Sequence, residues 1–230
     1  MTTKEFSDGF DTLINSHAVV GEFGVTASPV SFDEYEKSLL LTTAQEEIVR
    51  DLYNGRFNGE SLEKTEELRR SLDSLTKTDY PELILNRLDG LDKNSKFYQL
   101  KDDVWFITYE SVELVEGAYC ENNPVVKVIP MRQDEWHRAK DNPFRRPNKR
   151  KVVRLDNGNN VSELISDYPI QNYLVRYLSK PTPIILTPLE GGLSIDGLQE
   201  ITECKLNTVL HRTILERAVE LASRRIPASK

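Results

Sequence analysis

The spacing of apolar residues changes period twice along the chain. From residue 31 they recur every three or four positions. Leu41, Ala44, Ile48 and Leu52 predict a helix that Asn54-Gly55 ends in a left-handed turn. Ser31-Phe32-Asp33-Glu34 has the hydroxyl-then-carboxylate form of a capping box and marks its start. A second helix is predicted from Ser61, with Glu63, Glu66 and Glu67 at its positive end and Leu68, Leu72 and Leu75 along one face. The helical part spans 31–80.

By Phe97 the period has become two. Val104-Trp105-Phe106-Ile107-Thr108-Tyr109 opens a long strand, and Val125 to Ile129 forms another, closed by Pro130. A short polar helix follows from Arg132 to Lys140 and stops at Asn142-Pro143. Residues 151–155 and 161–165 flank Asp156-Asn157-Gly158-Asn159-Asn160 and predict a hairpin. Tyr173 to Leu178 is a further strand, after which Pro181 and Pro183 force an edge or a bend. Asn207 caps a last helix, 207–226, with Leu210, Ile214, Leu215, Ala218, Leu221 and Ala222 on one face. The expected fold is α+β: N-terminal helices, a central mixed or antiparallel β-sheet over 97–187, and a long C-terminal helix. Residues 1–30, punctuated by Gly9, Gly21, Gly24 and Pro29, read as an irregular N-terminal arm ordered by a neighbour. Residues 31–230 read as one α+β domain. Glu190-Gly191-Gly192 reads as a flexible loop and a second arm.

Composition narrows the function classes. The chain has 230 residues, 38% hydrophobic and 29% charged, and a formal charge of -7. No overall basic character draws it to nucleic acid. No apolar run reaches the ~20 residues of a membrane span, and the first residues lack the apolar core of a signal peptide. The expectation is a soluble intracellular product. Cys120 and Cys204 are too few for a disulfide framework or a structural zinc site, and read as ordinary thiols. His17, His137 and His211 show no metal-ligand spacing, and His211 reads as a packing or surface residue. Glycine-rich phosphate loops and a Gly-x-Ser-x-Gly elbow are absent. Glu203-Cys204-Lys205 has the Glu-x-Lys form of a metal-dependent nuclease but abuts a helix cap instead of ending a strand.

One constellation stands apart. Phe144-Arg145-Arg146-Pro147-Asn148-Lys149-Arg150-Lys151, followed by Arg154, places six cations in a ten-residue window without an acid. Asn142-Pro143 and Pro147 make it a stiff loop. It reads either as a contact with phosphates or an acidic protein surface, or as a solvated turn. The residues alone leave both open.

Several blocks, taken in order, resemble a known family. They are Phe32 to Ser38 with Leu41 to Val49, Asp134-Glu135-Trp136 with Asn142 to Asn148, and Tyr173 to Pro181. The ending, Leu206 to His211 with Ile214, Arg217-Ala218-Val219 and Leu221, completes the set. Within residues 31–226 this run is similar to the head–tail connector proteins, neck rings and adaptors, of crAss-like and related tailed bacteriophages. The resemblance implies a non-enzymatic ring, typically twelve-fold, that joins the capsid portal to the tail. Double-stranded DNA would pass through its lumen without sequence-specific binding. It implies a virion protein of the neck or tail, assembled in the host cytoplasm, with the portal and other neck and tail proteins as partners. No membrane, catalytic residue, cofactor or metal enters this reading. Arg145, Arg146, Lys149, Arg150 and Lys151 are the candidate interface. A DNA-binding or packaging-associated protein using loop 145–154 is the alternative, and a nuclease around Glu203 and Lys205 comes third.

Overall fold

The computed structural model describes residues 1–19, 31–55, 70–85, 87–115 and 125–225. They form an α+β protein in two compact units. One unit joins Met1–Leu75 to Pro181–Lys230, and the other is Thr76–Lys180. The boundary falls within the stretch expected as one domain.

The first unit is helical. Residues 1–19 are not the irregular lead-in expected: Thr3–Val19 is helix α1, which packs on the last helix of its own chain. Phe6, Phe10 and Ile14, each four residues apart, form its buried stripe. Gly9 belongs to the contact, because a Cβ there would meet Leu215 Cδ2 at 2.9 Å. A glycine read as a break is thus a point of close approach.

Helix α2 is Glu34–Tyr53. Its capping box lies two residues later than expected, with Asp33 as N-cap and Glu36 reaching back to the Asp33 amide at 3.2 Å. The reason is that Glu34 is used elsewhere, in an ion pair with Lys37 at 2.9 Å. Asn54 caps the far end, and Gly55 has φ +67°. Residues 61–69 of the helix expected from Ser61 lie outside the described residues. The remainder, Asp73–Leu75, is one 3-10 turn that buries Leu75.

The chain re-enters this unit at Pro181 as an extended segment against α2. The backbone amides of Ile184 and Leu186 donate to Thr42 Oγ1 and Ser38 Oγ, both at 3.0 Å, and Gln45 Nε2 donates to the Thr182 carbonyl at 2.9 Å. These buried polar positions on α2 satisfy the backbone groups that the segment turns toward the helix.

Two further helices are present among the described residues: a short α3, Gln133–Ala139, in the second unit, and α4, Thr208–Ser223, in the first. Asn207 caps α4 as expected, its Oδ1 accepting the Val209 amide at 3.1 Å. Leu210, Ile214, Leu215, Ala218, Val219 and Ala222 are buried where α4 packs against α1 and α2. The His211 ring tilts against Phe6 at 5.4 Å.

The second unit is an eight-stranded sheet of β1 Thr76–Asp79, β2 Glu82–Ile84, β3 Ser95–Gln99, β4 Val104–Leu114, β5 Val125–Pro130, β6 Lys151–Asp156, β7 Val161–Ile165 and β8 Ile170–Ser179. Their spatial order is β1-β8-β4-β5-β6-β7-β3-β2. The sheet begins well before Phe97, because β1 and β2 are short and mostly polar and carry little period-two signal. All pairings are antiparallel except β5–β6, whose connection contains α3 and so returns in the same direction.

The two end strands, β1 and β2, are separated in sequence only by Tyr80-Pro81. Such a link spans at most ~11 Å, so the sheet must curl until its edges come together. Pro81, without an amide, fits this seam. The inner face holds Tyr98, Leu100, Val112, Leu114, Val126, Val128, Val152, Leu164, Tyr173, Val175 and Tyr177. Outside, α3 covers β6 and β7 through Trp136 and Ala139 on Val153, Leu155 and Ile165. Burial on both faces explains the continuous apolar reading of these strands.

Candidate functional site

The basic loop connects α3 to β6. Two asparagines shape it. Asn142 accepts the amides of Arg145 and Arg146 on its carbonyl, at 3.0 and 2.9 Å, and that of Phe144 on its side chain at 2.9 Å. Asn148 pairs with Lys151 in both directions at 3.1 Å and accepts the Arg150 amide on Oδ1 at 2.9 Å. Pro147 is buried, and Lys151 Nζ donates to the Phe144 carbonyl. The loop is therefore built before it meets anything.

The structure divides the predicted cations. Arg145, Arg146, Lys149 and Arg150 are exposed, and Phe144 beside them is 88% exposed. Lys151 is half-buried and holds its own loop together. Arg154 does not belong to this surface. It shares the inner face of β6 with Val152, while Val153 and Leu155 face α3. Both faces of β6 are buried, so no polar alternation in the sequence revealed its direction.

Arg154 instead enters a buried charge cluster. Its Nη1 lies 2.7 Å from Glu110 Oε2 and its Nε 3.2 Å from Asp156 Oδ1, neither aligned as a hydrogen bond. Tyr173 donates its hydroxyl to Glu110 Oε1. Burial pushes the Arg154 guanidinium down, but Glu110 beside it more than offsets this and holds it above the ordinary arginine value. Burial and the Glu110 charge both push the Tyr173 phenol up. A cleft of about 400 Å³ borders this cluster, lined in part by Trp105, Phe106, Asp156 and Ser162.

A second exposed and charged surface had gone unremarked in the sequence. From residue 181 through 204 there is no Lys or Arg, while Glu190, Asp196, Glu200 and Glu203 all occur. That stretch had been expected to hold a flexible Gly191-Gly192 loop. It folds as a flap pinned at its base. Ile185 and Thr202 exchange backbone bonds at 3.1 and 3.2 Å, and the Leu189 amide donates to the Gln199 carbonyl at 2.8 Å. Leu189 and Ile195 pack on Ile185 beneath it. The four acids point outward, and so do Leu193, Leu198 and Ile201, the last 51% exposed.

Glu203 and Lys205 are exposed, and the thiol of Cys204 between them donates to Gln45 Oε1 at 3.4 Å. Burial pushes that thiol up, away from nucleophilic character. Among the described residues, no three His, Cys, Asp or Glu side chains gather as a metal site. Cys120 lies outside the described residues. His137 is exposed, and no helix among the described residues is long and apolar enough to cross a membrane.

A chain with two exposed, preformed, oppositely charged surfaces has the parts of an assembly subunit. The model of the family described as phage tail ring protein 3/4 matches residues 1–228. The chain belongs to the phage tail ring protein 3/4 family. It is 49% identical over 225 residues to Ring protein 3 of Bacteroides phage crAss001, covering 96% of this chain and 95% of that protein. It is 34% identical over 235 residues to Ring protein 4/5 of the same phage, covering 96% and 92%. The resemblance to crAss-like ring proteins read from the sequence blocks is thereby shown, and this ring-family chain is a structural protein of a bacteriophage particle. Residues 1–30, outside the run that carries the resemblance, lie inside the family match.

Proposed function

We propose that this chain is the subunit of a closed ring at the portal vertex, joining the capsid portal to the tail and surrounding the DNA path. The observation that carries the reading is the family match along nearly the whole chain, with the relatives covered at 95% and 92% of their length. The role is structural, not enzymatic. The ring is twelve-fold, sits in the neck or tail of the virion, and is assembled in the host cytoplasm against the portal and other neck proteins. A net charge of -7 suits a lumen through which DNA slides without sticking. Arg145, Arg146, Lys149 and Arg150 serve an interface between proteins, with Lys151 shaping the loop that presents them.

The test is the particle mass of the purified protein together with its position in the virion. A closed assembly at a multiple of 26.4 kDa, and density for the chain between portal and tail, are expected. A monomer at every concentration, or a location elsewhere in the particle, overturns the proposal. Salt-dependent retention of duplex DNA by the monomer would favour the DNA-binding alternative.

A further inference from the structure

We infer that the basic loop 144–151 of one copy docks on the acidic flap 188–203 of the next copy, forming the head-to-tail contact that closes the ring. The inference rests on the ring reading above and adds the two surfaces that make the joint.

Charge complementarity is the first ground. The loop presents Arg145, Arg146, Lys149 and Arg150 with no acid among them, and the flap presents Glu190, Asp196, Glu200 and Glu203 with no base. Among the described residues, neither Arg145, Arg146 and Arg150 nor Glu190, Glu200 and Glu203 form an ion pair within the chain. Elsewhere on the surface some charged groups, such as Arg217 with Glu47 and Glu220, are paired internally. Arginine suits the role, since its planar fork meets a carboxylate through two hydrogen bonds.

An independent ground is apolar. Phe144 stands at the start of the loop almost wholly exposed, and Leu193, Leu198 and Ile201 stand exposed among the acids of the flap. Interface cores favour an aromatic anchor set in aliphatic surroundings inside a polar rim. Each surface thus carries charge opposite to the other's and an apolar group to set against the other's.

Preorganisation is the third. Asn142, Asn148 and Lys151 fix the loop, and the Ile185–Thr202 and Leu189–Gln199 bonds fix the flap, so docking orders little new chain. The two surfaces are different patches of one chain, so the contact is heterologous. A heterologous contact closes into a ring when its rotation divides a full turn and runs on as a filament when it does not, whereas a self-complementary patch stops at a dimer.

The test uses charge reversal in the full-length protein. One variant carries Arg145→Glu, Arg146→Glu and Arg150→Glu; the other carries Glu190→Lys, Glu200→Lys and Glu203→Lys. Each alone faces like charge across the joint, and the assembled fraction should fall by about tenfold or more at about 0.1 M salt. The variant combining both sets, and an equimolar mixture of the two, should regain assembly, the mixture as particles with equal numbers of each. Circular dichroism checks that each monomer is folded. Should a reversal set not fold, the salt dependence of the parent decides: its assembly should weaken between about 0.05 and about 0.5 M salt. If the parent assembles and either reversal set assembles equally well, or the combined variant stays monomeric, the contact is wrong and the ring stands. A parent that never assembles removes both.

Discussion

Among the described residues each unit buries one lysine or arginine, and the two are treated differently. In the helical unit Lys37 is 3% exposed between α1 and α2. Its three ammonium donors reach Ser7, Asp11 and Glu34 at 3.1, 2.7 and 2.9 Å, and both acid partners keep about a third or more of their side chains in water. Burial lowers the Lys37 pKa, but the two carboxylates outweigh it and raise the group above its ordinary value. In the sheet unit Arg154 and Glu110 are both almost fully buried, and the guanidinium is near its acids without being aligned to them. A buried charge at a helix crossing can borrow solvent for its partners. Glu110, inside the curled sheet, cannot, so it depends on Arg154, whereas Asp156 keeps 73% of its side chain in water.

That contrast gives an order of damage. The largest expected loss is independent of either cation: Ala218→Asp puts an unpaired carboxylate into the fully buried face of α4 and should cost about 4 kcal/mol or more, read as loss of cooperative urea unfolding. Next comes Arg154→Met, which strands Glu110 and should cost about 3–5 kcal/mol. Adding Glu110→Gln, which keeps an acceptor for Tyr173, should recover most of that loss. A double variant as unstable as the single one would show that Arg154 acts by shape and not by charge. Lys37→Met should cost only about 1–2 kcal/mol, because Asp11 and Glu34 retain water. An equal or larger loss than for Arg154→Met would erase the distinction between the units.

The smallest effect is a pH dependence. Burial pushes the His211 pKa below its ordinary value, an effect the Met1 ammonium adds to and the Leu206 carbonyl and Glu5 oppose. The ring accepts from the Met1 amine at Nδ1 and donates from Nε2 to the Leu206 carbonyl at 2.9 Å, an arrangement that requires the neutral imidazole. As pH falls the unfolded chain therefore binds the proton first. Stability is full above the ordinary histidine value and declines as pH drops through it toward the lower folded value. Urea midpoints should fall between about pH 7.5 and about pH 5.5, and His211→Gln should flatten that step.

Much of this was written in local patterns. Aromatic and β-branched blocks located β4 to β8, by alternation where one face is polar and by a continuous apolar run in β6 and β7. Asn207 and Asn54-Gly55 declared helix ends because a cap depends only on nearby backbone. The basic loop, closed by Asn142-Pro143 and Pro147, was visible for the same reason.

Other features depended on contacts between distant residues, and no local pattern holds those. Gly9 was read as a break until Leu215 was seen against it. The Asp33 cap displaced the Ser31 cap because Glu34 was needed by Lys37. Thr76–Asp79 and Glu82–Ile84 are strands only because β8 and β3 lie ready to pair with them. Whether Arg154 joined the surface cluster or the interior was decided by Glu110, forty-four residues earlier in the chain. The sequence by itself determined which segments are helical or extended and where its charges concentrate. Only the tertiary structure decided which charges reach solvent, since exposure follows from what the rest of the chain leaves uncovered.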